Sequence, residues 1–263
     1  MKQKKQIIIF TDLDGSLLDK DTFRFDEIED YFRELISIGI KIIPNSSKTE
    51  AELSDFNNQY NLNLSFVAEN GSSIHGLNLI HKNLPERISL SRSSDQIYKV
   101  YNENIPSNLK QKVTFILKLK SEEQKEIFGL PLNKLMLAIK RDHSIPIQFN
   151  GTESEKNEFI KFINDTGLII QTGGRIMNIC DNTNKSKAML KTIELIKQEM
   201  SDEIITIGVG DNQNDIDMLK ETDYSCLVKN DNFDSSLINI DNLIKSSEPS
   251  PNGWADVIKT AIQ

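Results

Sequence analysis

The chain has 263 residues, enough for one large domain or two moderate ones with a proper core. Hydrophobic residues make up 38% and charged residues 27%, and the net charge is -8. That balance is ordinary for a globular protein and argues against nucleic acid or an anionic membrane as the main partner.

The first apolar run, Ile7 to Phe10, is too short to span a bilayer or to serve as a signal peptide, although basic residues precede it. A cytoplasmic protein is expected. The run reads instead as a buried strand. It ends in Thr11-Asp12-Leu13-Asp14-Gly15-Ser16. Ile28 to Ile38 reads as an amphipathic helix with Phe32, Leu35 and Ile36 on one face, stopped at Gly39. Ile40 to Ile43 is a second strand, ending in Pro44-Asn45-Ser46-Ser47-Lys48-Thr49, and Glu50 to Tyr60 is the next helix. Leu64 to Ala68 is a third strand, ending in Glu69-Asn70-Gly71. This β-α-β-α-β rhythm predicts a parallel sheet, with the polar strand ends as the place for a site.

The rhythm changes near residue 85. Residues 86–175 read as an α+β insert, with helices at Glu122–Phe128 and Glu153–Asp165 and strands at Leu135–Ile139, Ile145–Phe149 and Leu168–Thr172. The α/β pattern then resumes: a helix from Lys187 to Met200, a strand from Ile204 to Val209, and a helix from Asp215 to Thr222. A strand at Tyr224–Lys229 and a closing helix at Trp254–Ile262 follow.

Two acids at the end of a buried strand have no packing reason to be there, because buried charge is costly. Asp12 and Asp14 also repel each other, so they call for a cation, a shared proton or both. A divalent metal with a nucleophilic aspartate meets those demands. In that reading Asp12 attacks phosphorus and Asp14 serves as general acid and base. A second strand ends in Gly208-Val209-Gly210-Asp211, and Asp211 is placed to share a Mg²⁺ with Asp12. Asp215 either joins that shell or only begins the following helix.

Ser46, Ser47, Lys48 and Thr49 lie between a strand and a helix, a natural phosphate cradle. Ser46 is the candidate phosphoryl donor and Lys48 the candidate anion clamp. Asn70, at the third strand's polar end, is a further candidate substrate contact with Ser47 and Thr49. Asn184-Lys185-Ser186-Lys187 puts lysine at a helix start, where the dipole disfavours it and a nearby phosphoryl group would compensate. Lys185 is the candidate stabiliser of nucleophile and transition state, and Lys187 a candidate substrate contact. Arg175, behind Gly173-Gly174, suits bidentate recognition of carboxylate or phosphate. Cys180 and Cys226 show no zinc-type grouping, and His75, His81 and His143 are scattered.

The order strand–DxDGS, strand–SSK, insert, Lys-x-Lys, strand–GDxxND resembles the haloacid dehalogenase-like phosphohydrolase superfamily. AENGSSI (68–74), NKSKAM (184–189) and GDNQNDIDML (210–219) are similar to its Cof-type branch. Within that branch, SSKTEAE (46–52), TGGRIMNI (172–179) and SPNGWADVI (250–258) look most like the mannosyl-3-phosphoglycerate phosphatase family. Ser16, Ser186 and Asn178 depart from that pattern, standing where threonine, glycine and histidine are usual.

The resemblance implies an α/β fold: a Rossmann-like parallel-sheet core (1–85 plus 176–263) with an inserted α+β cap (86–175). It implies Asp12 as nucleophile, Asp14 as general acid/base, Ser46 as phosphate-binding hydroxyl and Lys185 as stabilising lysine. Mg²⁺ would be held by Asp12, the Asp14 carbonyl and Asp211. The expected reaction is dephosphorylation of mannosyl- or glucosyl-3-phosphoglycerate to a compatible solute, by a monomer or homodimer. The alternatives are a sucrose-phosphatase-like or broad sugar-phosphate phosphatase, a phosphomannomutase, and a non-catalytic sugar-phosphate sensor.

Overall fold

The computed structural model describes residues 5–173 and 176–263. Gly174 and the candidate substrate-binding residue Arg175 lie outside the described residues. In chain order the structure begins with β1 (Lys5–Thr11), α1 (Glu29–Ser37), β2 (Lys41–Pro44), α2 (Glu50–Gln59), β3 (Phe66–Ala68), β4 (Ser73–His75) and β5 (Arg87–Ser89). There follow α3 (Ser94–Asn104), α4 (Ser107–Lys110), β6 (Val113–Phe115), α5 (Ser121–Phe128), α6 (Leu132–Ala138), β7 (Ser144–Phe149), α7 (Glu153–Asp165), β8 (Leu168–Gly173) and β9 (Ile176–Asp181). The chain closes with α8 (Lys185–Glu199), β10 (Glu203–Gly210), α9 (Ile216–Lys220), β11 (Tyr224–Leu227), β12 (Ile244–Lys245) and α10 (Asn252–Ala261). None of the described helices is long and apolar enough to cross a membrane.

Two compact units form. The first contains the chain up to Ser47, Asn61–Ile88 and Asn184–Gln263. Its main sheet is parallel, in the order β12-β11-β10-β1-β2. Strand β1 is central, and Ile8, Ile9 and Phe10 are completely buried, as expected for a strand covered on both faces. From β1 the chain moves to β2 on one side, and from β10 to β11 on the other. The strand order therefore reverses between β1 and β10, so their carboxyl ends sit side by side at the switch point where α/β sheets bind ligands. Strand β3 is less integrated than its sequence suggests. It meets β2 through one parallel bridge, Asn45 to Val67, and spends its ladder on an antiparallel hairpin with β4.

The second unit contains Lys48–Tyr60 and Ser89–Thr183. Its antiparallel sheet runs β6-β7-β9-β8. Alternate residues Ile145 and Ile147 of β7 and Met177 and Ile179 of β9 face one core. Ile97 and Tyr101 of α3 and Phe159 and Ile163 of α7 fill the same cluster. Residues 135–139, expected as a strand, are instead helical up to Ala138 within α6. Leu, Met and Ala are good helix formers, Pro131 precedes the first turn, and Leu135 and Ala138 bury one face. Helix α2 folds with α6: the Thr49 hydroxyl donates to the Leu137 carbonyl (3.0 Å), and Lys134 pairs with Asp55 (2.8 Å).

Candidate active site

Asp12 is the first residue beyond β1. Its N–H still donates to Val209 of β10 (2.9 Å), so the strand register fixes its position. The chain then turns back tightly, with Gly15 N–H donating to Leu18 O and Leu18 N–H to Leu13 O. Gly15 has φ +82°, and a Cβ there would lie 2.7 Å from an Asp211 carboxylate oxygen. Glycine is thus required both by the backbone and by the approach of the second strand's acid. Asp14 is half-buried on this turn.

Asp211 follows β10 and is almost fully buried. Ser16 Oγ donates to its Oδ1 (2.9 Å), and Asn230 Nδ2 donates to its Oδ2 (2.7 Å). Asp215 is completely buried, and one of its oxygens accepts from the backbone N–H groups of Asp211 and Asn212 at 3.1 Å each. A Cβ at Gly210 would overlap the Asp215 side chain, so that glycine makes room for the acid.

Lys185 is the first residue of α8 and only 1% exposed. Its Nζ donates to Asp12 Oδ1 (2.6 Å) and to Asp215 Oδ1 (2.7 Å). The conflict between a lysine and a helix N-terminus is thus resolved by two carboxylates of the protein itself. Lys187 is exposed, and its backbone N–H is capped by Asn184 Oδ1 (2.8 Å). The turn Glu69-Asn70-Gly71 has positive φ throughout (47°, 54° and 92°). A Cβ at Gly71 would overlap the Asn184 carbonyl, so this turn sets how closely the start of α8 approaches.

Burial would depress the Lys185 ammonium, but the charges of Asp12 and Asp215 outweigh it and hold the group well above its ordinary value. Burial, reinforced by Asp12 and Asp215, pushes Asp211 up to about 7. Asp215 is also raised, by burial first, with Lys185 opposing. Ligand oxygens of Asp12, Asp211 and Asp215 lie within 4.8 Å of one another. With all three carboxylates deprotonated, one ammonium leaves an excess of two negative charges, and an all-oxygen donor set of that charge suits a hard divalent cation. The cluster can hold a metal ion.

At the end of β2, Ser46 is buried, donates its N–H to Val67 O (3.1 Å) and accepts from Asn70 N–H (2.9 Å), tying the second and third strand ends together. Ser47 is exposed and Lys48 half-buried. Thr49 is buried with its hydroxyl committed: it accepts from Glu52 N–H in a capping box and donates to Leu137 O. Lys48 and Thr49 fold with the second unit, Ser46 and Ser47 with the first.

The structure therefore brings Asp12, Lys185, Asp211 and Asp215 together, beside Asp14. Sequence reasoning assigned no role to Ser16 and Asn230, which brace Asp211, or to Asn45, whose Nδ2 donates to Lys185 O (2.9 Å). Asn230 had a readable signal: it is a polar residue just after the buried run Cys226–Val228.

The family model described as haloacid dehalogenase-like hydrolase matches residues 9–258. The glucosyl-3-phosphoglycerate/mannosyl-3-phosphoglycerate phosphatase of Methanococcoides burtonii is 30% identical over 97% of each chain. The protein of the same name from Persephonella marina is 26% identical over 96% of each. Among solved structures, a phosphatase of the haloalkanoate superfamily from Bacteroides thetaiotaomicron has a TM-score of 0.69 at 16% identity, covering 97% of this chain and 94% of its own. Matched from its first buried strand to its last helix, and aligned almost end to end with phosphatases, the chain belongs to the haloacid dehalogenase-like hydrolases and is a phosphatase.

Proposed function

We propose that the protein is a Mg²⁺-dependent phosphomonoesterase working through an aspartyl-phosphate, with mannosyl- or glucosyl-3-phosphoglycerate as substrate. One observation carries the mechanism: Lys185 lies buried between Asp12 and Asp215, with Asp211 alongside. A structural ion pair needs one acid for one lysine, and the surplus acids here imply a cation.

Asp12, the Asp14 carbonyl and Asp211 would hold Mg²⁺, which offsets repulsion between a carboxylate and a phosphate ester. Asp215 holds Lys185 through one oxygen and the 211–212 backbone through the other, and its role in this reading is to position those groups. Asp12 attacks phosphorus with its carboxylate. Asp14 gives its proton to the departing alkoxide, then takes one from the water that cleaves the acyl phosphate. Lys185 uses two of its three N–H donors on acids, leaving the third for a phosphoryl oxygen. Ser46 supplies a hydroxyl to the same group.

The substrate assignment rests on the two curated relatives and the Ser-Ser-Lys-Thr, Gly-Gly-Arg and Gly-Trp segments. A glycosyl-phosphoglycerate carries a carboxylate beside its phosphate. Lys48, Arg175 and Lys187 are the cations assigned to these anions, with Ser47, Thr49 and Asn70 as polar contacts. Selection of the sugar is assigned to the second unit, as a cap.

Purified protein with Mg²⁺ is expected to prefer mannosyl- or glucosyl-3-phosphoglycerate over sucrose-6-phosphate and simple hexose phosphates. Asp12→Asn is expected to lose at least about 10³-fold in kcat and to form no acid-stable phosphoprotein. Retained turnover in that variant sinks the mechanism, while a clear preference for hexose phosphates sinks only the substrate.

A further inference from the structure

Asp12 is the residue at which the chain leaves the β1 ladder, yet both of its backbone groups are held. Its N–H donates to Val209 O, and its carbonyl accepts from the Thr11 hydroxyl at 2.7 Å. That hydroxyl in turn accepts from the indole Nε1–H of Trp254 at 2.9 Å. Thr11 and Trp254 are completely buried. An indole N–H only donates, so the chain of bonds has one direction: Trp254 to Thr11 to the Asp12 carbonyl. Bonds in such a chain polarise and strengthen one another.

The indole is itself fixed. Its ring packs against Phe32 (centroids 5.7 Å apart), which packs against Phe25 (5.1 Å). Gly253, just before it, lets the first turn of α10 lie directly on the Glu248 backbone, where a Cβ would overlap a carbonyl. This accounts physically for the Gly-Trp pair in the closing segment. Glycine seats the helix, and tryptophan reaches the end of β1.

We propose that Trp254 and Thr11 are positioning residues that aim the Asp12 carboxylate. The proposal rests on the reading of Asp12 as nucleophile. Holding the N–H and the carbonyl of one residue fixes both peptide planes around its Cα, and so the direction of its Cα–Cβ bond. In-line attack is sensitive to that direction, since small misplacements of a reacting group cost rate steeply.

The test uses p-nitrophenyl phosphate with Mg²⁺, reading kcat, KM, the single-turnover rate of phosphoenzyme formation and the thermal midpoint. Trp254→Phe keeps the ring and drops the N–H. It is expected to lower kcat and the phosphorylation rate on the order of tenfold, with KM within about twofold. Thr11→Val is expected to do at least as much, and Thr11→Ser to restore near-normal turnover. The double variant Trp254→Phe/Thr11→Val is expected to be no slower than Thr11→Val alone, because both break one chain.

A Trp254→Phe protein that melts earlier but turns over normally overturns the proposal, as do multiplicative losses in the double variant. If Trp254→Phe does not fold, Thr11→Ala against Thr11→Ser decides: equal turnover overturns it, and loss only in alanine supports it. Asp12→Asn run alongside separates the two readings. Activity in that variant removes the nucleophile, whereas an inactive Asp12→Asn beside a fully active Trp254→Phe removes only the relay.

Discussion

Lys185 and Lys187 are two residues apart, and only their environments tell them apart. Lys185 is enclosed by acids, while Lys187 is exposed. Lys185→Met is expected to reduce kcat on the order of 10²–10³-fold, the usual loss when one donor to developing charge is removed. It also leaves Asp12 and Asp215 buried beside each other, which costs about 3–5 kcal/mol of stability in the metal-free protein. Lys187→Met is expected to change KM at most and to leave the denaturation midpoint in place. Steady-state kinetics with denaturant unfolding on both variants check this, and a larger kcat loss at Lys187 would reverse the assignment. The sequence already singled out Asp12, Asp211 and Lys185, because acids and lysines where buried strands or helices begin or end need an explanation. Ser16, Asn45 and Thr11 were not legible. Ser16 and Asn45 act through hydrogen bonds to residues distant in sequence, Thr11 receives its indole donor from one, and no spacing encodes such partners.

Among the elements, α1, β7 and α7 were readable from their apolar spacing, and β1 and β10 from apolar runs rich in β-branched residues. Helix α6 was not, because a short apolar run such as Leu135–Ile139 has no period to distinguish strand from helix. Helix α3 and strand β6 were missed altogether. The place of β3 was readable, although Leu64–Ala68 was expected and only Phe66–Ala68 forms, and its pairing was not, because the turn at Glu69-Asn70-Gly71 sends the chain back along itself as β4. That turn links an element to the site. Gly71 and Gly39 have nearly the same φ, +92° and +94°, but a Cβ at 71 overlaps Asn184 whereas at 39 it meets nothing within 4 Å. Gly39→Ala is therefore expected to cost only the backbone term, about 1–2 kcal/mol, with normal kcat. Gly71→Ala is expected to cost more than that and also to lower kcat, because the start of α8 carries Lys185. Equal stability losses and equal turnover in the two variants would show that the close approach has no role.

For the whole molecule, the excess charge of the acidic cluster makes folding, metal and pH one linked system. In the metal-free protein Asp211 is raised from an ordinary 3.8 to about 7. Between those values the folded chain keeps a proton that the unfolded chain has released. Its contribution to stability is present below the lower value and is lost as pH rises through the upper one. Asp215 is raised too and acts in the same direction. Lys185 does not enter this window: its raised value lies above the ordinary amine range, so its contribution is lost only in strong alkali. A divalent cation takes the deprotonated carboxylates, so its binding releases protons and strengthens as pH rises over the same interval. Mg²⁺ is therefore expected to raise the thermal midpoint of the native protein relative to chelator, by an amount that grows from about pH 5 to about pH 8. At a free concentration a hundredfold above Kd the stabilisation is about 2.7 kcal/mol, and it is expected to shrink in Asp211→Asn. The readout is the difference between paired melts, with Mg²⁺ and with chelator, at each pH. It needs no substrate, so it tests the cation site separately from the chemistry. A difference that stays flat across the interval, or that survives intact in Asp211→Asn, would mean the excess charge is neutralised by protons and the cluster is not where Mg²⁺ acts.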